Sequence, residues 1–145
     1  KGYDFSVFMQ GVARTSFFIN PNDISPFVNE RNALDVIADN HWSINNPDPN
    51  AFWPRLSTYA IANNEQQSTW WQRDGDFLRL KNVEIGYTFP DKSSGLFSGL
   101  NTRIYFTGLN LLTFSKFDLW DTEMGGNGLG YPPQKVYNIG LQVNF

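Results

Sequence analysis

Apolar side chains return at every second position in four stretches of this chain. From Tyr3 to Ala13, one side carries Tyr3, Phe5, Val7, Met9, Gly11 and Ala13, and the other carries Asp4, Ser6, Phe8, Gln10 and Val12. A period of two marks a half-buried strand. From Phe77 to Phe89 the apolar side holds Val83, Ile85, Tyr87 and Phe89, with Arg79 and Lys81 expected to begin it. The opposite side holds Asn82, Glu84, Gly86 and Thr88. The stretch Lys135 to Phe145 is the cleanest, Tyr137, Ile139, Leu141, Val143 and Phe145 alternating with Val136, Asn138, Gly140, Gln142 and Asn144. Between Thr102 and Phe114, Ile104, Phe106, Gly108, Leu112 and Phe114 share a side with Asn110. A polar residue in that position predicts a bulge near Gly108, or an Asn110 amide bonded to a neighbour.

These stretches predict strands at about 3–13, 77–89, 102–114 and 135–145, with connections of unequal length. About 60 residues follow the first strand, about 12 the second and about 20 the third, and transmembrane barrels alternate long extracellular loops with short periplasmic turns in this way. The alternation assigns residues 90–101, with Pro90, Gly95 and Gly99, to a periplasmic turn, and residues 14–76 and 115–134 to extracellular loops. Leu34, Ile37, Ala38 and Trp42 lie at roughly helical spacing, and Pro47, Pro49 and Pro54 follow them, so one short helix is expected within Asn32 to Trp42.

Composition sharpens this picture on one point. The chain has 13 Phe, 6 Tyr and 5 Trp among 145 residues, yet its mean hydropathy is −0.39. Apolar faces beside polar ones suit a membrane barrel with aromatic girdles, and equally a soluble carbohydrate-binding β-sandwich, the alternative reading. A net charge of −3 with no Lys/Arg-rich window leaves no footprint for nucleic acid. The absence of cysteine excludes disulfides, thiolate metal sites and a thiol nucleophile. No run approaches the roughly 20 apolar residues of a membrane helix. Lys1 to Gln10 lacks the apolar centre of a signal peptide, so a secretion signal is expected upstream.

The run Asp74-Gly75-Asp76-Phe77-Leu78-Arg79-Leu80-Lys81-Asn82-Val83-Glu84-Ile85-Gly86-Tyr87-Thr88-Phe89-Pro90 resembles a late strand of SusC/RagA-type TonB-dependent outer-membrane transporters. Three more pieces occur in the family's order: Asn46-Pro47-Asp48-Pro49-Asn50-Ala51-Phe52-Trp53-Pro54-Arg55-Leu56, Thr107-Gly108-Leu109-Asn110-Leu111-Leu112-Thr113, and Tyr131-Pro132 leading into Gly140-Leu141-Gln142-Val143-Asn144-Phe145. The chain departs from the family at Asp121-Thr122-Glu123, where a proline often separates the acids. The resemblance implies an all-β fold, the last four antiparallel strands of a barrel of about 22 strands.

It further implies a bacterial outer-membrane location and import of an oligosaccharide, an oligopeptide or a similar nutrient. The implied partners are the rest of the barrel and its plug, outer-membrane lipid, a SusD-like surface lipoprotein, and TonB through an N-terminal part absent here. Phe145, closing the Tyr137, Ile139, Leu141, Val143 series, resembles the signal by which such barrels are recognised for insertion.

Little in the chain suits catalysis or a cofactor. Asp4 and Glu84 are the acids well inside strands, and nothing in the spacing brings them together as a glycosidase pair. The single histidine, His41, lacks the clustered donors of a metal site, and Asp118, Asp121 and Glu123 read as solvated loop carboxylates. Trp42, Trp53, Trp70 and Trp71 are the candidate ligand or partner contacts, because flat indole faces stack on sugars and pack against proteins. The competing reading is that they give the long loop a core of its own. Asp4, Gln10, Asn82, Glu84, Asn138, Gln142 and Asn144 are expected to face the lumen.

Overall fold

A computed structural model of the chain describes residues 2–90 and 101–144. Most of the expected periplasmic turn, residues 91–100, lies outside the described residues, as does Phe145. The chain divides into two compact units, one built from residues 1–15, 75–118 and 132–145, the other from 16–74 and 119–131.

The first unit is a four-stranded antiparallel sheet in the order β1 (Tyr3–Val12), β4 (Phe77–Thr88), β5 (Asn101–Ser115) and β6 (Val136–Asn144). Side chains on directly paired residues share a face, so register converts the alternation into surfaces. Tyr3, Tyr87, Ile104 and Leu141 form one row across the sheet; Phe5, Ile85, Phe106 and Ile139 form the next; Val7, Val83, Gly108 and Tyr137 form a third. This face is open to its surroundings: Phe5 is 67% exposed and Ile139 is 79% exposed. Tyr3 and Tyr87 lie with ring centroids 4.6 Å apart, and Phe89 meets Tyr87 edge-on at 5.0 Å, making an aromatic cluster at one end.

At the other end the structure corrects the sequence reading. β4 carries an extra residue at Lys81, where its register shifts against both β1 and β5. The shift reverses the sides of the preceding residues. Leu80, paired with Met9 and Leu112, and Leu78, paired with Gly11 and Phe114, continue the apolar face, while Arg79 joins Gln10 and Thr113 on the polar one. Arg79 is buried with its guanidinium over the Phe77 ring. In β5 the irregularity falls at Asn110, whose φ of 52° is left-handed and whose amide Nδ2 donates to the Gln134 carbonyl at 2.9 Å.

The second unit begins and ends on a two-stranded ribbon, β2 (Ser16–Phe18) with β3 (Gln72–Asp74). Three short α-helices lie between them, α1 (Pro21–Ile24), α2 (Asp35–Asp39) and α3 (Ala62–Glu65), with 3-10 turns at Val28–Glu30 and Thr69–Trp71. Only α2 was expected; four-residue helices are too short to show a period. α1 instead begins on local chemistry, with Asn20 accepting from the Asn22 amide and a proline in the first position. Ile19, Ile24, Ile37, Ala51, Phe52, Trp53 and Trp71 are buried there. A β-sandwich needs a second sheet covering the apolar face of the first. The other sheet here has two strands of three residues and cannot form such a layer.

Candidate functional site

On the polar face of the sheet, charges from three adjacent rows meet over the middle one. Asp4 of β1 pairs with Gly86 of β4, Gly86 with Tyr105 of β5, and Tyr105 with Gly140 of β6. Arg103 of β5 reaches across β4: its Nε donates to Asp4 Oδ1 at 3.1 Å, and its Nη2 bonds both Asp4 Oδ2 and Glu84 Oε1, the latter at 2.6 Å. Its guanidinium also lies 5.0 Å from the centre of the Tyr105 ring. One cation thus bridges carboxylates on two other strands and keeps its flat side on an aromatic, which suits the planar, weakly hydrated guanidinium better than an ammonium.

Asp4 and Glu84, which the spacing alone did not bring together, meet through Arg103. The remaining expected lumen residues lie on the same face by register, Gln142 opposite Arg103, Asn144 opposite Asn101, and Asn138 opposite Thr107 with its amide 3.4 Å from the Thr107 hydroxyl. Sequence reasoning missed Arg103 and Tyr105. The available signal was Gly86 and Gly140, two of the four glycines inside these strands, since a strand glycine often marks a close approach of other atoms.

The four tryptophans of the second unit divide by burial. Trp53 and Trp71 are 4% and 1% exposed with ring centroids 5.1 Å apart, and the Trp71 indole donates to the Asn64 carbonyl at 2.9 Å. These two are the core of the unit. Trp42 and Trp70 are half-buried, held by the Trp42 amide donating to the Trp53 carbonyl and the Trp70 indole donating to the Phe52 carbonyl. Arg73 packs its guanidinium over Phe52 and donates to the Trp70 and Gln72 carbonyls; burial pushes its pKa down.

An open groove of about 420 Å³ is lined by Phe27, Arg55, Tyr59 and Ile61 among others, with Tyr59 72% exposed and Phe27 held at a left-handed φ of 63°. Non-glycine residues in that region carry strain, which gathers at functional sites.

His41 donates from Nδ1 toward the Ile37 and Ala38 carbonyls, a loop-fastening role. Asp121 caps the 3-10 turn Thr122–Met124 by accepting from the Glu123 amide at 3.0 Å. Thr122 is thus the first residue of a helical turn, where proline is well tolerated. Among the described residues no three His, Cys, Asp or Glu side chains gather as a metal site, and no helix is long and apolar enough to cross a membrane. Of the expected insertion series, Tyr137, Ile139, Leu141 and Val143 stand on the apolar face of β6.

An antiparallel sheet that is apolar on one side, polar on the other and open at both edges is wall geometry for an outer-membrane β-protein. No protein-family model matches the chain. Among curated proteins it is 28% identical over its whole length to TonB-dependent receptor P26 of Formosa agariphila and 33% identical over half its length to TonB-dependent receptor P3 of the same organism. It spans 16% of the first relative and 9% of the second. Among solved structures, all of the chain superposes on 16% of a chain in the RagAB peptide transporter with a TM-score of 0.73 at 25% identity. The RagAB peptide importer in its open-open state gives 0.69 at 24% identity, again over all of this chain and 16% of that one. Over its whole length the chain is similar to a segment of TonB-dependent receptors, and its fold matches a segment of the RagAB peptide transporter, proteins of the bacterial outer membrane.

Proposed function

We propose that the chain supplies four wall strands and two external loops to an outer-membrane transporter that imports an oligopeptide, an oligosaccharide or a similar nutrient. A SusD-like surface lipoprotein assists it, and TonB energises it through a part of the protein outside this chain. The carrying observation is the sheet itself. Its apolar face is exposed, and among the described residues β1 and β6 each pair on one side only. In lipid an unpaired strand edge is intolerable, so the two edges require further strands and ultimately closure, at about 22 strands in this class of transporter. The similarity to a peptide transporter favours a peptide cargo, and the relatives are receptors and transporters rather than enzymes.

Residues 14–76 and 115–134 are then extracellular, and the connection between β4 and β5 is periplasmic. Trp42 and Trp70, with the Phe27–Tyr59 groove, are the parts of the loop unit left to meet cargo or lipoprotein, Trp53 and Trp71 being committed to its core. The series Tyr137, Ile139, Leu141, Val143, Phe145 presents the strand to the insertion machinery.

The test is uptake of labelled oligopeptides and oligosaccharides by cells carrying the full-length transporter, with TonB or the neighbouring lipoprotein deleted. Import of one cargo class should depend on TonB and fall without the lipoprotein. Uptake indifferent to TonB would overturn the reading.

A further inference from the structure

We propose that the bare backbone at Gly86 and Gly140 selects the strand register of this sheet. The inference rests on the sheet alone and not on what the transporter carries. Alternation fixes which side of a strand faces which surface, because a slip of one residue exchanges every side chain. A slip of two residues exchanges none. Tyr3, Phe5 and Val7 would still meet apolar partners if β4 moved by two, since Val83, Ile85 and Tyr87 repeat at that spacing. The same holds for Ile104 and Phe106 against Ile139 and Leu141. The bulge at Lys81 divides β4, so the half nearer Tyr87 needs its own means of rejecting even slips.

The polar face provides it. Arg103 reaches Asp4 only by lying flat across Gly86, where an added Cβ would fall 2.6 Å from both Asp4 carboxylate oxygens and would collide with Arg103 Nη2. The Tyr105 ring likewise lies over Gly140, where a Cβ would fall inside the ring's contact distance. A two-residue slip of β4 against β5 would put Glu84 or Thr88 under the guanidinium; a slip of β6 would put Asn138 or Gln142 under the ring. Either slip obstructs the long side chain, and the slip of β4 also breaks the bridge to Asp4 and Glu84. Arg103 and Tyr105 are therefore positioning residues, and each of the two depressions accepts one register.

Disulfide formation reads register directly, because directly paired residues have Cβ atoms about 4.5–5.5 Å apart whereas diagonal ones are about 7–8 Å apart. Cysteines would be placed in the full-length transporter at Ile85 with Phe106 for the native pairing, and at Ile85 with Ile104 or Gly108 for the two slips. Cross-linking would be scored in membrane-inserted protein. The ratio of slipped to native product should rise at least tenfold in Gly86→Ala and in Arg103→Gln. Gly140→Ala should raise it for Phe106 paired with Leu141 over Phe106 paired with Ile139. If Gly86→Ala does not insert, Arg103→Gln, which adds no atom to the depression, carries the test. An unchanged ratio in inserted Arg103→Gln protein overturns the proposal.

Discussion

Replacing Ile139 by arginine puts a charge on the face assigned to lipid, and the structure sets how deep it would sit. The apolar face has five rows, from Tyr3–Tyr87–Ile104–Leu141 to Gly11–Leu78–Phe114. Rows two residues apart span about 27 Å along strands rising about 3.4 Å per residue, and a tilt of about 40° reduces this to about 21 Å across the bilayer, close to the roughly 25 Å apolar band of such barrels. Ile139 stands in the second row, about 5 Å from the middle of the band, where an arginine costs about 2–3 kcal/mol. That corresponds to roughly a thirty- to one-hundred-and-fifty-fold loss in the folding equilibrium. The assay is reversible denaturant unfolding of the full-length barrel in lipid vesicles, with Asn138→Arg on the opposite face as control. The control should change stability by no more than about 0.5 kcal/mol. Equal costs at the two positions, or the larger cost at Asn138, would refute the assignment of faces.

Trp71→Ala should remove about 3–5 kcal/mol from the core of the loop unit. Limited proteolysis should then cleave within residues 16–74 while the heat-resistant mobility of the barrel on gels persists. Asn110→Gly should cost only the lost amide bond, about 0.5–1.5 kcal/mol, because glycine accepts the left-handed φ, whereas Asn110→Ala should cost about 1 kcal/mol more by adding backbone strain; thermal unfolding of the two variants would separate them. Phe145→Ala should lower the amount of inserted transporter on immunoblots of outer membranes and leave uptake per inserted copy nearly unchanged. Normal insertion with lost uptake would count against an insertion role.

The alternation of Tyr3, Phe5 and Val7 or of Tyr137, Ile139 and Leu141 was legible because a strand half in lipid leaves no other pattern open. The Lys81 bulge also left a trace: the apolar positions change from Leu78 and Leu80 to Val83 and Ile85 across two consecutive polar residues, Lys81 and Asn82. Extending the odd-numbered side through that change placed Arg79 on the wrong face. The Arg103 bridge was not legible, since Asp4 lies 99 positions away and the bridge depends on which strands become neighbours. The loop core was half legible. Tryptophans in a long loop imply packing, but burial of Trp53 and Trp71 rather than Trp42 and Trp70 depends on turns too short to leave a periodic signature.

The loop unit joins two pieces of chain, residues 16–74 and 119–131, that enter it from different hairpins. The Asn20 amide donates to the Gly126 carbonyl at 3.1 Å, so the shorter piece completes backbone bonding begun by the longer one. If cargo preference resides in this unit, as proposed, exchanging the long loop alone would not transplant it. A graft of residues 16–74 from a relative would meet a foreign 119–131 segment and leave that amide without its acceptor. The transferable cassette is the pair of loops, moved together.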